Sequence, residues 1–270
     1  MHPLTLVSRT EHPDDTVITV RGVPIGGENF VTIAGPCAVE SRDQLFRVAE
    51  AVQAAGATVL RGDAFKPRTS PYSFQGLGEE GLQYLAEARE EFDMPFVAEV
   101  LDPREVALVA NYADIIRVGT RNMSNFSLLH ELGGVSQPIQ LKRGFTATID
   151  EWLSAAEYIA MEGNPNIILV ERGIRTFETA SRNTLDITAV PLVQQMSHLP
   201  IIVDPSHSGG KRELVAPLSM AAAGVGAHGV MIDVHTNPAE AKVDGDQAIL
   251  PEEFAELNRT LQRIVAARTA

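Results

Sequence analysis

The segment Asn166-Ile167-Ile168-Leu169-Val170-Glu171 is a short apolar run with no alternation of polar and apolar residues. Strands that are buried on both faces, as in a parallel sheet, have this pattern, whereas a strand with one face in water alternates. Seven further strand-like runs, most of them equally apolar, lie along the chain: Phe30–Ala34, Thr58–Arg61, Pro95–Val100, Asp114–Val118, Pro138–Lys142, Pro200–Asp204 and Gly229–Val234. The chain therefore predicts eight buried strands.

Segments with helical periodicity separate these strands. Ser41-Arg42-Asp43-Gln44 has the pattern of a capping box, and Gly56 is expected to end the helix that it opens. Thr148-Ile149-Asp150-Glu151 is a second such box. The other helices are predicted near Glu79–Phe92, Pro103–Asn111, Ser124–Leu132, Asn183–Met196, Leu214–Gly224 and Pro251–Ala267.

Eight strand–helix units match the size and order of a closed (β/α)8 TIM barrel of the α/β class. A doubly wound sheet is the second interpretation, and the lack of a Gly-rich dinucleotide turn makes it the less favoured one. Residues 1–29 precede the first unit, and Val17–Val20 with Val23–Ile25 predict a short β-hairpin that covers the N-terminal mouth of the barrel. We expect an N-terminal extension over residues 1–29 and one catalytic barrel over residues 30–270.

The composition excludes several classes of protein. The 270 residues include 22 Lys and Arg against 35 Asp and Glu, a net charge of −13, and 44% are hydrophobic. These values exclude a disordered chain and argue against nucleic acid or an anionic membrane as a partner. The only cysteine is Cys37, so no intrachain disulfide forms. No signal peptide is visible at the N-terminus, and we expect a protein of the reducing cytoplasm.

Basic residues cluster where the predicted strands end. In this kind of barrel the active site lies at the carboxyl ends of the strands and in the loops that follow them. Guanidinium and ammonium groups bind phosphate and carboxylate there. The sequence thus predicts a cationic site for a substrate with more than one anionic group, within an otherwise acidic surface. Nine of the 22 basic residues belong to this set: Arg61, Lys66, Arg68, Arg117, Arg121, Lys142, Arg143, Arg172 and Arg175.

A second group of residues at the same end has the chemistry of a metal site. It comprises Cys37, His207, Asp233 and Asp244. Mixed sulfur, nitrogen and oxygen ligands suit manganese, iron, cobalt or zinc better than magnesium or calcium. From spacing alone, the alternative that Cys37 is only a small buried apolar residue stays open.

Seven motifs together resemble the 3-deoxy-D-arabino-heptulosonate 7-phosphate (DAHP) synthases of type Iβ, a subfamily that also includes octulosonate 8-phosphate synthases. The similarity extends from about residue 17 to 268, and the run Lys66–Ser70 is the family's marker for erythrose 4-phosphate. The resemblance also implies a core that lacks the extra regulatory domain of many relatives. The motifs are Gly35-Pro36-Cys37, Leu60-Arg61-Gly62, Lys66-Pro67-Arg68-Thr69-Ser70-Pro71, Phe74-Gln75-Gly76-Leu77-Gly78, Leu141-Lys142-Arg143-Gly144, Glu171-Arg172-Gly173-Ile174-Arg175 and Asp204-Pro205-Ser206-His207-Ser208-Gly209-Gly210.

The resemblance implies a metal-dependent condensation of phosphoenolpyruvate with erythrose 4-phosphate and water, the first step of the shikimate pathway. It implies a dimer or tetramer and a divalent ion, with Mn²⁺ expected first and Co²⁺, Fe²⁺ or Zn²⁺ as alternatives. The central catalytic residues would be Lys66, Arg61, Lys142 and His207, with Lys66 as the candidate for proton transfer. Carried over by position, phosphoenolpyruvate would be held by Arg61, Lys66, Arg121, Lys142 and Arg172, the aldose phosphate by Arg68 and Thr69, and the metal by Cys37, His207, Asp233 and Asp244.

The chain departs from the family pattern around these sites. Asp233 stands where Glu is usual, and one methylene less shortens its reach by about 1.5 Å. Asp63 replaces a usual Gly, Asp246 replaces a usual Lys, and His235-Thr236-Asn237-Pro238 replaces His-Pro-Glu-Pro. Three hypotheses remain: an active DAHP synthase, the same reaction on another aldose phosphate, and a catalytically silent protein that binds phosphate ligands.

Overall fold

Eight parallel strands close into a barrel in the computed structural model, which describes residues 4–67 and 70–268. Each strand pairs with its neighbours in chain order, and the last pairs with the first. This closure confirms the predicted barrel and excludes the doubly wound sheet. The barrel strands are β3 (Val31–Gly35), β4 (Val59–Arg61), β5 (Phe96–Val100), β6 (Ile115–Val118), β7 (Ile139–Lys142), β8 (Ile167–Glu171), β9 (Ile201–Val203) and β10 (Gly229–Asp233).

The predicted hairpin precedes the barrel, as β1 (Ile18–Val20) and β2 (Val23–Ile25). A tight turn joins the two strands, because Arg21 and Gly22 both have positive φ. The buried side chains of the hairpin pack with interior residues of the barrel such as Ile33. The hairpin therefore covers the N-terminal end of the barrel, and the opposite end stays open.

The helices lie outside the barrel strands. The Thr148 capping box forms as predicted, whereas Ser41 caps Gln44 alone and the Gln44 side chain accepts from the backbone of Glu40 instead. Pro103–Glu105 forms a 3-10 turn before the third helix. The helices are α1 (Arg42–Ala54), α2 (Glu79–Phe92), α3 (Val106–Tyr112), α4 (Phe126–Gly133), α5 (Ile149–Met161), α6 (Ala189–Met196), α7 (Pro205–Gly209), α8 (Arg212–Val225) and α9 (Pro251–Arg268).

The prediction of a helix from Asn183 was wrong in its start, since α6 begins at Ala189. The backbones of Thr184 and Ile174 exchange two hydrogen bonds of 2.9 Å, which fold this segment back on the strand-eight loop. The Asn183 side chain donates to the carbonyl of His207 at 3.0 Å. These tertiary contacts outweigh the local helical pattern and bring the loop to the open end of the barrel.

The barrel interior changes from apolar to charged towards this open end. Val59, Val97 and Ile115 belong to the inner apolar cluster. Two residues further along the same strands stand Arg61, Glu99 and Arg117, all buried, which face inward because side chains alternate along a strand. Burying a charged side chain costs free energy of desolvation, so a cluster of buried charges indicates a functional site rather than a contribution to stability. Among the described helices, none is long and apolar enough to cross a bilayer.

Candidate active site

A cavity of about 280 Å³ opens at the carboxyl ends of the strands. Four of the five residues predicted to hold phosphoenolpyruvate line it, and the fifth, Arg61, is fully buried among its lining residues. Arg68 and Thr69, predicted for the aldose phosphate, lie outside the described residues. The lining includes Asp63, Lys66, Glu99, Arg117, Arg121, Lys142, Phe145, Arg172, Arg182, His207 and Asp244.

The guanidinium groups of Arg121 and Arg172 line one side of the cavity, where they can bind an anion. Arg121 and Arg172 lie over the ring of Phe145, at 5.6 and 4.9 Å from its centroid. The buried Nε of Arg172 has no hydrogen-bond partner within the described chain. Burial lowers the pKa of Arg172 to about 10, although Asp204 opposes the shift. An arginine that is desolvated and unpaired gains most from a bound phosphate or carboxylate.

Asp204 connects the substrate side of the cavity to the metal side. Its Oδ2 lies 2.6 Å from Nζ of Lys142 and 2.9 Å from Nδ1 of His207. Burial alone would raise the pKa of Asp204, but His207 and Lys142 outweigh it and hold that pKa well below its usual range. The ionised carboxylate fixes the His207 ring with Nδ1 as donor, which leaves Nε2 free to bind a metal.

The four predicted metal ligands come together in the structure. One ligand atom from each of Cys37, His207, Asp233 and Asp244 lies within 4.8 Å of the others. The separations are 3.7 Å from Cys37 Sγ to His207 Nε2, 3.3 Å from Sγ to Asp244 Oδ2, and 3.5 Å from Nε2 to the same oxygen. Bond lengths of about 2.0–2.3 Å in a tetrahedron separate neighbouring ligand atoms by roughly 3.3–3.8 Å. These three donors therefore fit one ion in number, type and spacing.

Asp233, the fourth predicted ligand, differs from the other three residues in its contacts. Its carboxylate pairs with Arg61 and accepts from the side-chain amide of Gln247. Its Oδ2 lies 3.7 Å from Nδ1 of His207, the ring nitrogen that Asp204 also contacts. Arg61 and Gln247 thus hold the Asp233 carboxylate at the end of β10.

Lys66 lies between the cationic side of the cavity and the four predicted metal ligands. Its Nζ lies 3.2 Å from Cys37 Sγ and donates to Asp63 Oδ2 at 2.8 Å. Burial lowers the pKa of Lys66, but the carboxylate of Asp63 is the main group that outweighs burial and raises that pKa above its usual value. Burial raises the pKa of the Cys37 thiol. Without a metal ion, the ammonium and the thiol therefore both keep their protons at neutral pH.

The loop that carries Lys66 is held by backbone contacts. The amide of Lys66 donates to the carbonyl of Gln75 at 2.9 Å, and Gly78 donates to Ala64. Gly76 has φ +100°, and a Cβ there would lie 2.0 Å from the Ala64 carbonyl oxygen. Only glycine fits this approach, which explains why the Phe74-Gln75-Gly76 motif accompanies the Lys66 motif.

Two of the basic residues that the sequence placed at the site, Arg143 and Arg175, do not line the cavity. Arg143 pairs with Glu171 at 2.9 Å and Asp186 at 2.8 Å, outside the cavity lining. Arg175 lies over Phe145 in a neighbouring pocket, 4.4 Å from the ring centroid. Arg182 was not predicted, yet it lines the cavity and pairs with Asp244 at 3.2 Å. It lies in the loop after β8, directly before the helix that the sequence predicts from Asn183, and none of the sequence motifs includes it.

Comparisons with known proteins identify the family of the chain. The model of the DAHP synthetase I family matches residues 11–268. The phospho-2-dehydro-3-deoxyheptonate aldolase of Thermotoga maritima is 55% identical over 267 residues, 99% of this chain and 79% of that protein. A 2-dehydro-3-deoxyphosphooctonate aldolase of Syntrophobacter fumaroxidans is 33% identical over 257 residues, 88% of each chain.

Solved structures give the same result. The crystal structure of the Thermotoga maritima DAHP synthase has a TM-score of 0.96 at 54% identity and covers 99% of this chain and 78% of that one. A truncated form of the Thermotoga maritima enzyme has a TM-score of 0.92 at 51% identity, with 98% and 97% covered. Sequence, fold and motif residues therefore agree, and this chain belongs to the DAHP synthetase I family.

Proposed function

We propose that this protein condenses phosphoenolpyruvate with erythrose 4-phosphate and water, giving DAHP and inorganic phosphate. The observation that carries the proposal is the contact between the two halves of the cavity. Lys66 Nζ, on the cationic side, lies 3.2 Å from the sulfur of Cys37 among the metal-ligand residues. A site of this kind can bring a doubly anionic enol phosphate next to a carbonyl group that a metal ion activates.

The cations have distinct parts in the proposal. Arg121, Arg172 and Lys142 bind the phosphate side of phosphoenolpyruvate, while Arg61 and Lys66 face its carboxylate side. Positioning matters most here, because C3 of the enol phosphate is a weak nucleophile and the two substrates repel each other as anions. Arg68 and Thr69 bind the aldose phosphate, a role that rests on the family motif. After C–C bond formation, water attacks C2 and the C–O bond to phosphate breaks.

Lys66 acts as a proton donor in this proposal. Its ammonium is held by Asp63 and its pKa is raised, so it is protonated when substrates bind. A protonated group between the two substrates can deliver a proton to the aldehyde oxygen as it becomes a hydroxyl. His207 contributes by holding the metal side of the site, oriented through Asp204.

Cys37, His207, Asp233 and Asp244 would hold the divalent ion, with Mn²⁺ as the first candidate and Co²⁺, Fe²⁺ or Zn²⁺ as alternatives. When bound, the ion acts as a Lewis acid on the aldehyde carbonyl. We extend the proposal to a cytoplasmic homo-oligomer, a dimer or a tetramer, with an N-terminal extension over residues 1–29 and a catalytic barrel over residues 30–270. Light scattering of the purified protein measures the number of subunits.

One assay tests the reaction. The purified protein is incubated with each divalent metal, phosphoenolpyruvate and a panel of aldose phosphates, and phosphate release is measured. Release with erythrose 4-phosphate alone supports the proposal. Release only with a five-carbon sugar phosphate would contradict it in favour of another acceptor. No release with any metal, together with binding of phosphoenolpyruvate, would show a silent ligand-binding protein.

A further inference from the structure

The carboxylate of Asp63 lies on the floor of the cavity and is contacted by three cations. Oδ2 accepts from Lys66 Nζ at 2.8 Å and lies 3.5 Å from Arg61 Nη2, while Oδ1 pairs with Arg117. The side chain is about 1% exposed. Three cations on one small carboxylate form the kind of site that a protein normally offers to an anionic ligand.

Backbone hydrogen bonds hold the segment that carries Asp63 and Lys66. The carbonyl of Asp63 accepts from the amide of Val39 at 3.0 Å, and Lys66 is held through Gln75. Burial raises the pKa of Asp63, but Arg117, Lys66 and Arg61 outweigh it and hold that pKa below its usual range. The carboxylate is therefore ionised, immobile and buried at neutral pH.

The contacts of Asp63 divide the cations of the site into two groups. Arg61 and Lys66 are engaged by Asp63, whereas Arg121 and Arg172 face the cavity around Phe145 and pair with no carboxylate of the described residues. A ligand with one anionic group can bind to Arg121 and Arg172 alone. A ligand that also carries a carboxylate must compete with Asp63 for Arg61 and Lys66.

We propose that Asp63 is a specificity-determining residue that competes with the carboxylate of the substrate for Arg61 and Lys66. It weakens the binding of ligands that carry both a carboxylate and a phosphate, and it leaves the binding of a lone phosphate group almost unchanged. The inference rests on the proposed function for the identity of the substrate. It concerns binding, however, and is tested without turnover.

Calorimetry on the metal-loaded protein, without an aldose phosphate, measures the dissociation constants of phosphoenolpyruvate and of inorganic phosphate. Asp63→Asn keeps the size of the side chain and removes its charge. We expect it to tighten phosphoenolpyruvate binding by about tenfold or more, since hydrogen bonds to charged groups are worth that much. Inorganic phosphate should change by less than about threefold on the same scale.

Two variants separate competition from net charge and from folding. Asp63→Asn combined with Arg117→Gln leaves the net charge of the cavity unchanged but still removes the competing carboxylate from Lys66 and from Nη2 of Arg61, which keeps its pair with Asp233. The gain in affinity for phosphoenolpyruvate should therefore persist. Glu99→Gln removes one negative charge from the same cavity. Glu99 pairs with Arg117 at 3.4 Å and acts on the Lys66 charge without an ion pair among the described residues. The affinity for phosphoenolpyruvate should rise clearly less in Glu99→Gln than in Asp63→Asn.

An unchanged or weaker affinity for phosphoenolpyruvate in both Asp63 variants would overturn the inference. Equal gains for Asp63→Asn and Glu99→Gln, or for phosphoenolpyruvate and inorganic phosphate, would overturn it as well, because net charge would then be sufficient. Phosphate release is measured in a separate assay with erythrose 4-phosphate. Failure of that assay contradicts the condensation and leaves the affinity comparison standing.

Discussion

Nζ of Lys142 lies 2.6 Å from Oδ2 of Asp204 inside the barrel. The same carboxylate holds the His207 ring, and its Oδ1 accepts from the His207 backbone amide at 2.9 Å. One buried side chain thus positions a cation of the substrate side and a ligand of the metal side. A change at Asp204 should disturb both halves of the site together.

Asp204→Asn is therefore expected to lower metal affinity by about 10–100-fold, the usual effect of losing the partner of a ligating histidine. It should also raise the KM for phosphoenolpyruvate, because Lys142 loses the carboxylate that holds its ammonium group at 2.6 Å. Metal titration and steady-state kinetics measure the two effects. Asp186→Asn is the matched control, since Asp186 pairs with Arg143 outside the cavity. A loss of metal affinity with an unchanged KM would refute the shared role.

The sequence predicted the elements of this arrangement but not its connections. Strand ends such as Lys142 and ligands such as His207 follow from the strand–helix pattern, because the carboxyl ends of barrel strands meet at one face. The link through Asp204 joins residues 62 positions apart, and the pairing of Asp63 with Arg117 joins residues 54 apart. Such contacts depend on which side chains share an interior layer, and a local pattern carries no information about partners on other strands.

Loops were predicted least well, for a related reason. Arg182 lies directly before a segment whose apolar spacing is helical, and tertiary contacts hold it at the open end of the barrel. Its amide donates to the carbonyl of Gly209 at 3.1 Å, and its guanidinium pairs with Asp244 at 3.2 Å. The bridge between Ile174 and Thr184 holds the same loop. Arg143 shows the opposite error, since its position at a strand end predicted a role in the site. In the structure Arg143 instead pairs with Glu171 and Asp186, outside the cavity lining. In both cases tertiary contacts, which the local pattern does not contain, determined the position of the arginine.

Cys37→Ala should remove both bound metal and activity. The sulfur is 3.3 Å from Asp244 and 3.7 Å from His207, so no neighbouring side chain replaces it as a donor. Elemental analysis after dialysis measures the metal, and circular dichroism checks the fold. Ser208→Ala, a buried change whose hydroxyl donates only to Pro205, serves as the control. Full activity with the metal still bound in Cys37→Ala would show that Cys37 is not a ligand.

The catalytic efficiency with phosphoenolpyruvate should fall as the pH rises through about 8. Burial lowers the pKa of Lys142 to about 8, although Asp204 opposes the shift. The ammonium that attracts the substrate is thus present below this pH and lost above it. We expect kcat/KM to fall about tenfold per pH unit on the alkaline side. Lys142→Arg stays charged and should flatten this limb, and an unchanged limb in that variant would assign the titration to another group.

Gly76→Ala should destabilise the loop that carries Lys66. The new Cβ meets the Ala64 carbonyl oxygen at 2.0 Å and requires φ +100°, a backbone conformation that costs about 1–3 kcal/mol for a residue with a side chain. Activity and the free energy of unfolding should both fall. Gly224→Ala is the control, since its Cβ meets nothing within 4 Å inside α8 and should stabilise the helix by about 0.5–1 kcal/mol. Equal effects of the two substitutions would contradict the steric argument.

Asp233→Glu should keep or raise metal affinity and activity. The added methylene extends the carboxylate by about 1.5 Å, which lets it reach towards His207 and Asp244 without leaving its position at the end of β10. The present Asp pairs with Arg61 and accepts from Gln247. Isothermal titration with Mn²⁺ compares the two proteins, and Asp233→Asn, which keeps the length but removes the charge, should bind the ion more weakly than either. A large loss of affinity in Asp233→Glu would instead show that Arg61 and Gln247 have re-formed the site around the shorter side chain.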